Sequence, residues 1–347
     1  MTTDAALARD PAFAPPAWLA SGHLQTIYAA TLCPKPSVAY RRERLETGDG
    51  DFVDLDWIDG PAGSPVVVLF HGLEGCSRSH YALALMAAVR RRGWRGAVAH
   101  FRGCSGELNR LPRFYHSGDI EHVAFALARA AERAHGAPVF AIGVSLGGNA
   151  LLKWLGDGAD ARAPAAAAGV SVPLDLAAAG FHLEDGFNRL YTHYFLRRLK
   201  RKSLAKLALH PGIYSEAAVR ASRTLHDFDD AVTAPLHGFR DADDYWRRAS
   251  SKPLLGAIRV PTLVLNARDD PFLPASALPP PDQVSAAVRL ELPAHGGHAG
   301  FVSGAFPGHL EWMPQRVLDF FAATAGLAAE PAGNALTSDA IAIGRAT

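Results

Sequence analysis

The run Gly143-Val-Ser-Leu-Gly147, followed by Gly148, sets one serine between glycines at the spacing G-x-S-x-G. A serine hydroxyl is a weak nucleophile until an adjacent base takes its proton, so it must be held exposed beside that base. This spacing suits a sharp strand-to-helix turn, where the serine backbone is strained and glycines two before and two after it relieve the crowding. The string alone is common. Its context here is informative, because residues 138–144 form an apolar run that reads as a strand and residues 146–155 continue as a helix. Ser145 is therefore the candidate nucleophile of an acyl transfer.

Where such an elbow is used, an acid and then a histidine follow the serine along the chain. Downstream, Thr262-Leu-Val-Leu-Asn266 runs into Ala-Arg-Asp-Asp-Pro271, and residues 288–292 lead into Pro-Ala-His-Gly-Gly-His298. Parallel strands share their carboxyl edge, so both turns fall on the same side of a sheet as Ser145. Spacing leaves two choices open: Asp269 or Asp270 as the acid, His295 or His298 as the base. A tetrahedral intermediate also needs N–H donors for its oxyanion. The Leu146 N–H, next after the serine, is one candidate. The Leu73 N–H is the other, from the loop His71-Gly-Leu-Glu-Gly75, where Gly72 lets the backbone approach. Loss of one such donor typically costs about 3 kcal/mol.

These turns need a frame. Residues 65–70 and 96–101 are short apolar runs ending in glycine-bearing turns, and residues 165–172, 262–266 and 288–292 supply three further strands. Residues 81–92, 119–134, 146–155 and 312–323 read as helices, the second with acidic residues in its first turn as the helix dipole prefers. The alternation predicts an α/β fold, a mostly parallel sheet flanked by helices, within one domain over residues 1–325. Residues 175–252 break the rhythm. They carry no strand pattern but many Tyr, Phe, Trp, His and charged residues, which predicts a helical lid insertion between serine and acid; the alternative is an excursion without a role. Residues 326–347 are Ala/Gly-rich and predict a loose, flexible tail.

Composition narrows the classes of function. The chain has 347 residues, 49% hydrophobic and 20% charged, with formal net charge +1. Lys and Arg are scattered, which argues against a nucleic-acid partner. Cys33, Cys76 and Cys104 make neither a disulfide framework nor a metal-ligand spacing and fit a reducing compartment. No apolar run approaches the roughly 20 residues that span a bilayer. Residues 1–16, with Asp4 and Asp10, lack the basic-then-apolar order of a signal peptide. The expectation is a cytoplasmic protein without metal or cofactor.

Several stretches together resemble the YheT-type branch of the α/β-hydrolases, the hydrolase-4 esterases. They are Ser21-Gly-His-Leu-Gln-Thr-Ile27, His71-Gly-Leu-Glu-Gly75, Phe101-Arg-Gly-Cys-Ser-Gly-Glu107 with Asn109, and Tyr115-His-Ser-Gly118. Gly143-Val-Ser-Leu-Gly-Gly-Asn149, Asn266-Ala-Arg-Asp-Asp-Pro-Phe272 and His295-Gly-Gly-His298 complete the set, over residues 11–323. The resemblance implies esterase or lipase-like action on carboxylic esters by a triad of Ser145, Asp270 and His298. Asp270 is preferred because Asp-Pro-Phe-Leu-Pro274 resembles the family's acid loop, and His298 because its glycine neighbours resemble the histidine loop. Some eukaryotic relatives act on phospholipid or acylglycerol esters.

His71 and His116 are the candidate substrate-pocket residues, with Ser117 either lining the pocket or capping a turn. His23 and Gln25 could reach the rim or brace the fold, Arg102 should tie loops together, and Cys104 lacks an elbow. The expected partner is a small-molecule or lipid ester with a short- to medium-chain acyl group. Rivals are a thioesterase, lactonase or amidase on the same fold, a binding protein without turnover, and a lipid-surface lipase in which residues 191–206 touch lipid transiently.

Overall fold

The computed structural model describes residues 13–159 and 163–327. The chain opens with helix α1 (Gly22–Thr31) and a hairpin of β1 (Arg41–Glu46) and β2 (Phe52–Ile58). There follow β3 (Val66–Phe70), α2 (His80–Arg91), β4 (Arg95–Ala99), α3 (Ile120–Ala134), β5 (Val139–Val144), α4 (Leu146–Gly156) and β6 (Ala166–Val170). A helical stretch comes next: α5 (Leu176–His182), α6 (Arg189–Leu209), α7 (Glu216–Ala221), α8 (Leu225–Phe228), a π-helical turn at Asp229–Thr233, α9 (Ala234–His237) and α10 (Ala242–Ala249). Strands β7 (Thr262–Leu265) and β8 (Val288–Glu291) and helix α11 (Trp312–Thr324) close the fold.

The eight strands form one sheet in the order β1-β2-β4-β3-β5-β6-β7-β8. The pairs β1/β2 and β2/β4 are antiparallel; every other pair is parallel. Strands β3, β5 and β6 read as unbroken apolar runs because both of their faces are buried. Val66, Val68 and Phe70 of β3 point into one core with Val123 and Leu127 of α3 and Leu151 of α4. Val67 and Leu69 point into the other, with Leu85 of α2 and Val317 and Phe321 of α11. This is the α/β layering expected from the alternation of elements.

The two strands before residue 65 lie outside that apolar pattern. β1 is Arg-Arg-Glu-Arg-Leu-Glu, a charged string that gives no apolar signal by itself. Its partner supplies the reason it is a strand. Arg42 lies opposite Asp56 and Arg44 opposite Asp54 in the β1/β2 register, and each pair closes an ion pair at 2.8 Å. Opposed charges of this kind contribute about 0.2–1 kcal/mol each, and charge on an outer strand discourages further pairing. β2 carries an alternation of Leu55 and Trp57 with Asp54 and Asp56, and all four are buried.

Among the described residues, 175–252 contain helices and turns but no strand. The tail expected from residue 326 lies, beyond Gly326 and Leu327, outside the described residues. No helix among the described residues is long and apolar enough to cross a membrane.

Candidate active site

The register across the sheet places Val144, Val170, Leu265 and Glu291 in one row at the carboxyl ends of β5, β6, β7 and β8. Ser145 follows that row directly, Asp270 lies five residues beyond Leu265, and His298 lies seven beyond Glu291. Ser145 has φ 54° and ψ −123°, a left-handed conformation for a non-glycine residue held between β5 and α4. The glycines around it have no room for a side chain. A Cβ on Gly143 would lie 2.4 Å from the Gly148 Cα, and one on Gly147 would lie 2.4 Å from the Phe70 carbonyl oxygen. The turn can close only because both lack a side chain.

Asp270 and His298 meet. The His298 Nδ1–H donates to the Asp270 carboxylate, with Nδ1 2.9 Å from Oδ2 and 3.1 Å from Oδ1. That bond selects the tautomer with the proton on Nδ1 and leaves Nε2 as the basic nitrogen. Asp270 is almost fully buried and also accepts the Phe272 N–H at 2.8 Å. The Phe272 ring lies against the imidazole of His298, with ring centroids 3.8 Å apart and planes 14° from parallel. The histidine loop is held from both ends: the His298 N–H donates to Thr26 Oγ1 and the Ala299 N–H to Ser171 Oγ, each at 2.8 Å. Ser171 follows Val170, whose carbonyl accepts the Ser145 N–H at 2.9 Å. Serine loop and histidine loop are thus fixed to the same end of β6.

The other acid and histidine form their own pair. Asp269 accepts from the Gly297 N–H at 2.9 Å and lies 3.2 Å from His295 Nδ1. Asp269 and His295 brace the loop that carries His298.

Leu73 and Leu146 both border a cavity of about 130 Å³ that Ser145 also lines. The neighbouring amides of the β3 loop are occupied: Gly72 N–H donates to the Tyr81 hydroxyl and Glu74 N–H to the Tyr115 hydroxyl, both at 2.8 Å. The Leu73 N–H between them has no acceptor among the described residues. Leu146 is the first residue of α4, where helix geometry leaves the N–H unpaired. A Cβ on Gly72 would lie 3.0 Å from the Ser145 Cβ, tighter than ordinary contact, so glycine eases the approach of this loop to the serine.

His71 does not line the cavity, which corrects its expected role. It is fully buried, its Nδ1 lies 2.8 Å from the Gly72 carbonyl, and its Nε2 accepts the Phe101 N–H. Its ring ties the ends of β3 and β4, and burial holds its pKa well below the ordinary imidazole value. His116 does line the cavity, its Nδ1 accepting the Gly118 N–H, and burial with His237 nearby pushes its pKa down to about 3. Ser117 lines the cavity as well and holds Asn149 Nδ2. Gln25 is buried and bonded through its amide to Leu19 and Val302, a brace. His23 meets the Tyr191 hydroxyl at 3.0 Å, linking α1 to α6. Arg102 binds Asp49 and Asp51, so it does tie loops together.

Residues 175–252 cover the cavity. Leu176, Leu183, Phe195, Leu199, Phe228 and Trp246 form much of its apolar wall. Arg198, Lys202 and Lys206, spaced four residues apart on α6, anchor that helix. They bind the Glu74 carbonyl, the Glu74 carboxylate and the Asn109 and Leu111 carbonyls respectively. Asp229, at the cavity wall, accepts from Thr233 and Trp246, and burial pushes its pKa up to about 6. Phe272 and Thr26 fall inside the family-like stretches, which could have singled them out; Lys202 and Asp229 carry no such signal. Among the described residues no cluster of His, Cys, Asp or Glu is arranged to hold a metal ion.

Comparison with known proteins agrees with this architecture. A family model described as alpha/beta hydrolase fold matches residues 65–305. The chain is 41% identical to the Escherichia coli (strain K12) protein named "Putative esterase YheT", over 92% of this chain and 96% of that one. It is 32% identical to mouse "Phospholipase ABHD3", covering 86% of this chain and 75% of the relative. A crystal structure of the Pyrococcus furiosus esterase Pf2001 superposes with TM-score 0.51 at 15% identity, over 82% of this chain and 92% of that one, a likeness of fold alone. The chain belongs to the α/β-hydrolase family, in its YheT-type branch.

Proposed function

We propose that the protein is a serine carboxylesterase that works through an acyl-enzyme. Ser145 attacks the ester carbonyl as His298 Nε2 takes its proton, and Asp270 orients the imidazole and stabilises its charged form. The Leu73 and Leu146 N–H groups receive the developing oxyanion. His298 then protonates the leaving alcohol, and water activated by the same base releases the acid. The contact of His298 Nδ1 with the Asp270 carboxylate at 2.9 Å carries the assignment, together with Phe272, which stacks on His298 and lines the same cavity as Ser145. The apolar cavity of about 130 Å³ at the serine suits a short- to medium-chain acyl group.

A panel of octanoyl oxygen esters, thioesters and amides, assayed from pH 5 to 8, tests the proposal. Oxygen esters should be turned over best, with activity rising as imidazole loses its proton. A flat profile, or a preference for thioesters or amides, would contradict it. A second reading, a lipase working at a lipid surface, draws on Leu190 and Tyr194, four residues apart on α6 and 53% and 55% exposed, with Phe187 at 57%. The phospholipase name of the mouse relative points the same way. Flotation with liposomes, lost in a Leu190→Ser, Tyr194→Ser variant, would support it; absence of flotation would remove it.

A further inference from the structure

A second cavity of about 600 Å³ adjoins the first, and Glu74 and Lys202 line both. Its charged lining is unbalanced: Arg42, Arg78, Arg198, Arg201 and Lys202 face Glu74 and Glu107. Arg42 is neutralised by Asp56, Lys202 by Glu74, and Glu107 by Arg44. Arg78, Arg198 and Arg201 have no carboxylate ion-pair partner among the described residues. Arg198 spends its terminal nitrogens on neutral acceptors, the Glu74 carbonyl at 3.0 Å and the Tyr194 hydroxyl at 2.9 Å, while its buried Nε has no partner. Glu74 directly follows Leu73, so the guanidinium of Arg198 and the ammonium of Lys202 both bind the residue adjacent to the proposed oxyanion donor.

Resting on the serine-esterase reading, we propose that this groove binds an anionic group on the alcohol side of the substrate. The substrate class is then an ester with an apolar acyl chain and a phosphate or carboxylate a few bonds beyond the ester oxygen. The acyl chain occupies the first cavity, the ester meets Ser145, and the anion reaches past Glu74 to the three guanidiniums. Guanidinium forks suit phosphate and carboxylate oxygens, and an anion relieves the mutual repulsion of the cations. In the reaction the acyl C–O bond breaks as the Ser145 Oγ–C bond forms. The serine proton passes by His298 to the departing oxygen, so the product leaves as an anionic alcohol.

The test follows labelling of Ser145 by a fluorophosphonate probe in the presence of three competitors: 1-octanoylglycerol, 1-octanoylglycerol 3-phosphate and the octanoyl ester of 3-hydroxypropanoate. Protection reports occupancy whether or not a competitor is turned over. At least one anionic ester should half-protect at a concentration about tenfold or more below the neutral one, and the better of the two identifies phosphate or carboxylate as the preferred group. In an Arg78→Gln, Arg201→Gln variant, and in 0.5 M salt, the ratio should fall toward one. Equal protection by all three esters, or a ratio unmoved by the variant, overturns the groove assignment while the serine reading stands. A folded protein that is not labelled at all instead removes the serine reading on which the groove depends.

Discussion

At Ser145, the proposed nucleophile, a strained backbone angle, φ 54°, is made possible by two neighbours without side chains. The spacing of those glycines made the serine legible in the string. The choice of acid and base was less so, because two aspartates and two histidines sit in the right loops and spacing alone cannot separate them. Contact sorts them into two pairs, Asp270 with His298 and Asp269 with His295, and the proposed pair is the one stacked on the cavity residue Phe272. Asp270→Asn should therefore lower kcat on an activated ester by on the order of 10⁴-fold, because the amide no longer selects the useful imidazole tautomer. Asp269→Asn keeps an oxygen for the Gly297 N–H and should lose far less. Equal losses in the two variants, measured side by side, would contradict the assignment. His71 shows the opposite failing of sequence reading. A histidine next to a functional loop looks like a pocket residue until its burial and its two ring bonds are seen.

The elements divide by what makes them visible. Strands β3, β5 and β6 were legible because burial on both faces forces a continuous apolar run. Strand β1 was not, since it carries no apolar run and the ion pairs that hold it, to partners 10 and 14 residues away, exist only after pairing. The elbow joins β5 to α4 across a contact that a single methyl group would prevent. In Gly147→Ala the new Cβ would meet the Phe70 and His71 carbonyl oxygens at 2.4 and 2.6 Å, so the turn must open. A shift of about 1 Å in a reacting group can cost about 100-fold, and kcat/KM should fall by at least that much. Near-normal kcat/KM in a folded Gly147→Ala protein would show that the elbow does not depend on the close approach.

For the whole molecule, buried imidazoles link stability to pH. Burial holds His71, His80, His116, His122 and His237 below the ordinary imidazole value, with His80 and His122 at about 4 and His116 at about 3. In the unfolded chain they take up protons near pH 6.5. Between about pH 6.5 and 4 the unfolded state binds more protons, so stability falls as pH falls through that window. Each group contributes at most about 1.4 kcal/mol per pH unit. Asp229, raised to about 6 by burial, acts in the opposite sense between pH 3.8 and 6, and Glu184, also raised by burial, acts with it, but they are two groups against five. Tm should be lower at pH 5 than at pH 7 at equal ionic strength; an equal or higher Tm at pH 5 would mean that these histidines are protonated in the fold. None of this was legible in the sequence, because a histidine's burial depends on the layers that close over it.

Every step proposed for the site requires an activated serine at position 145. The most direct measurement treats the folded protein with a fluorophosphonate probe and locates the adduct by peptide mass spectrometry, with Ser145→Ala alongside. One adduct is expected, on Ser145, absent from the variant. An adduct elsewhere, or none on well-folded protein, would contradict it.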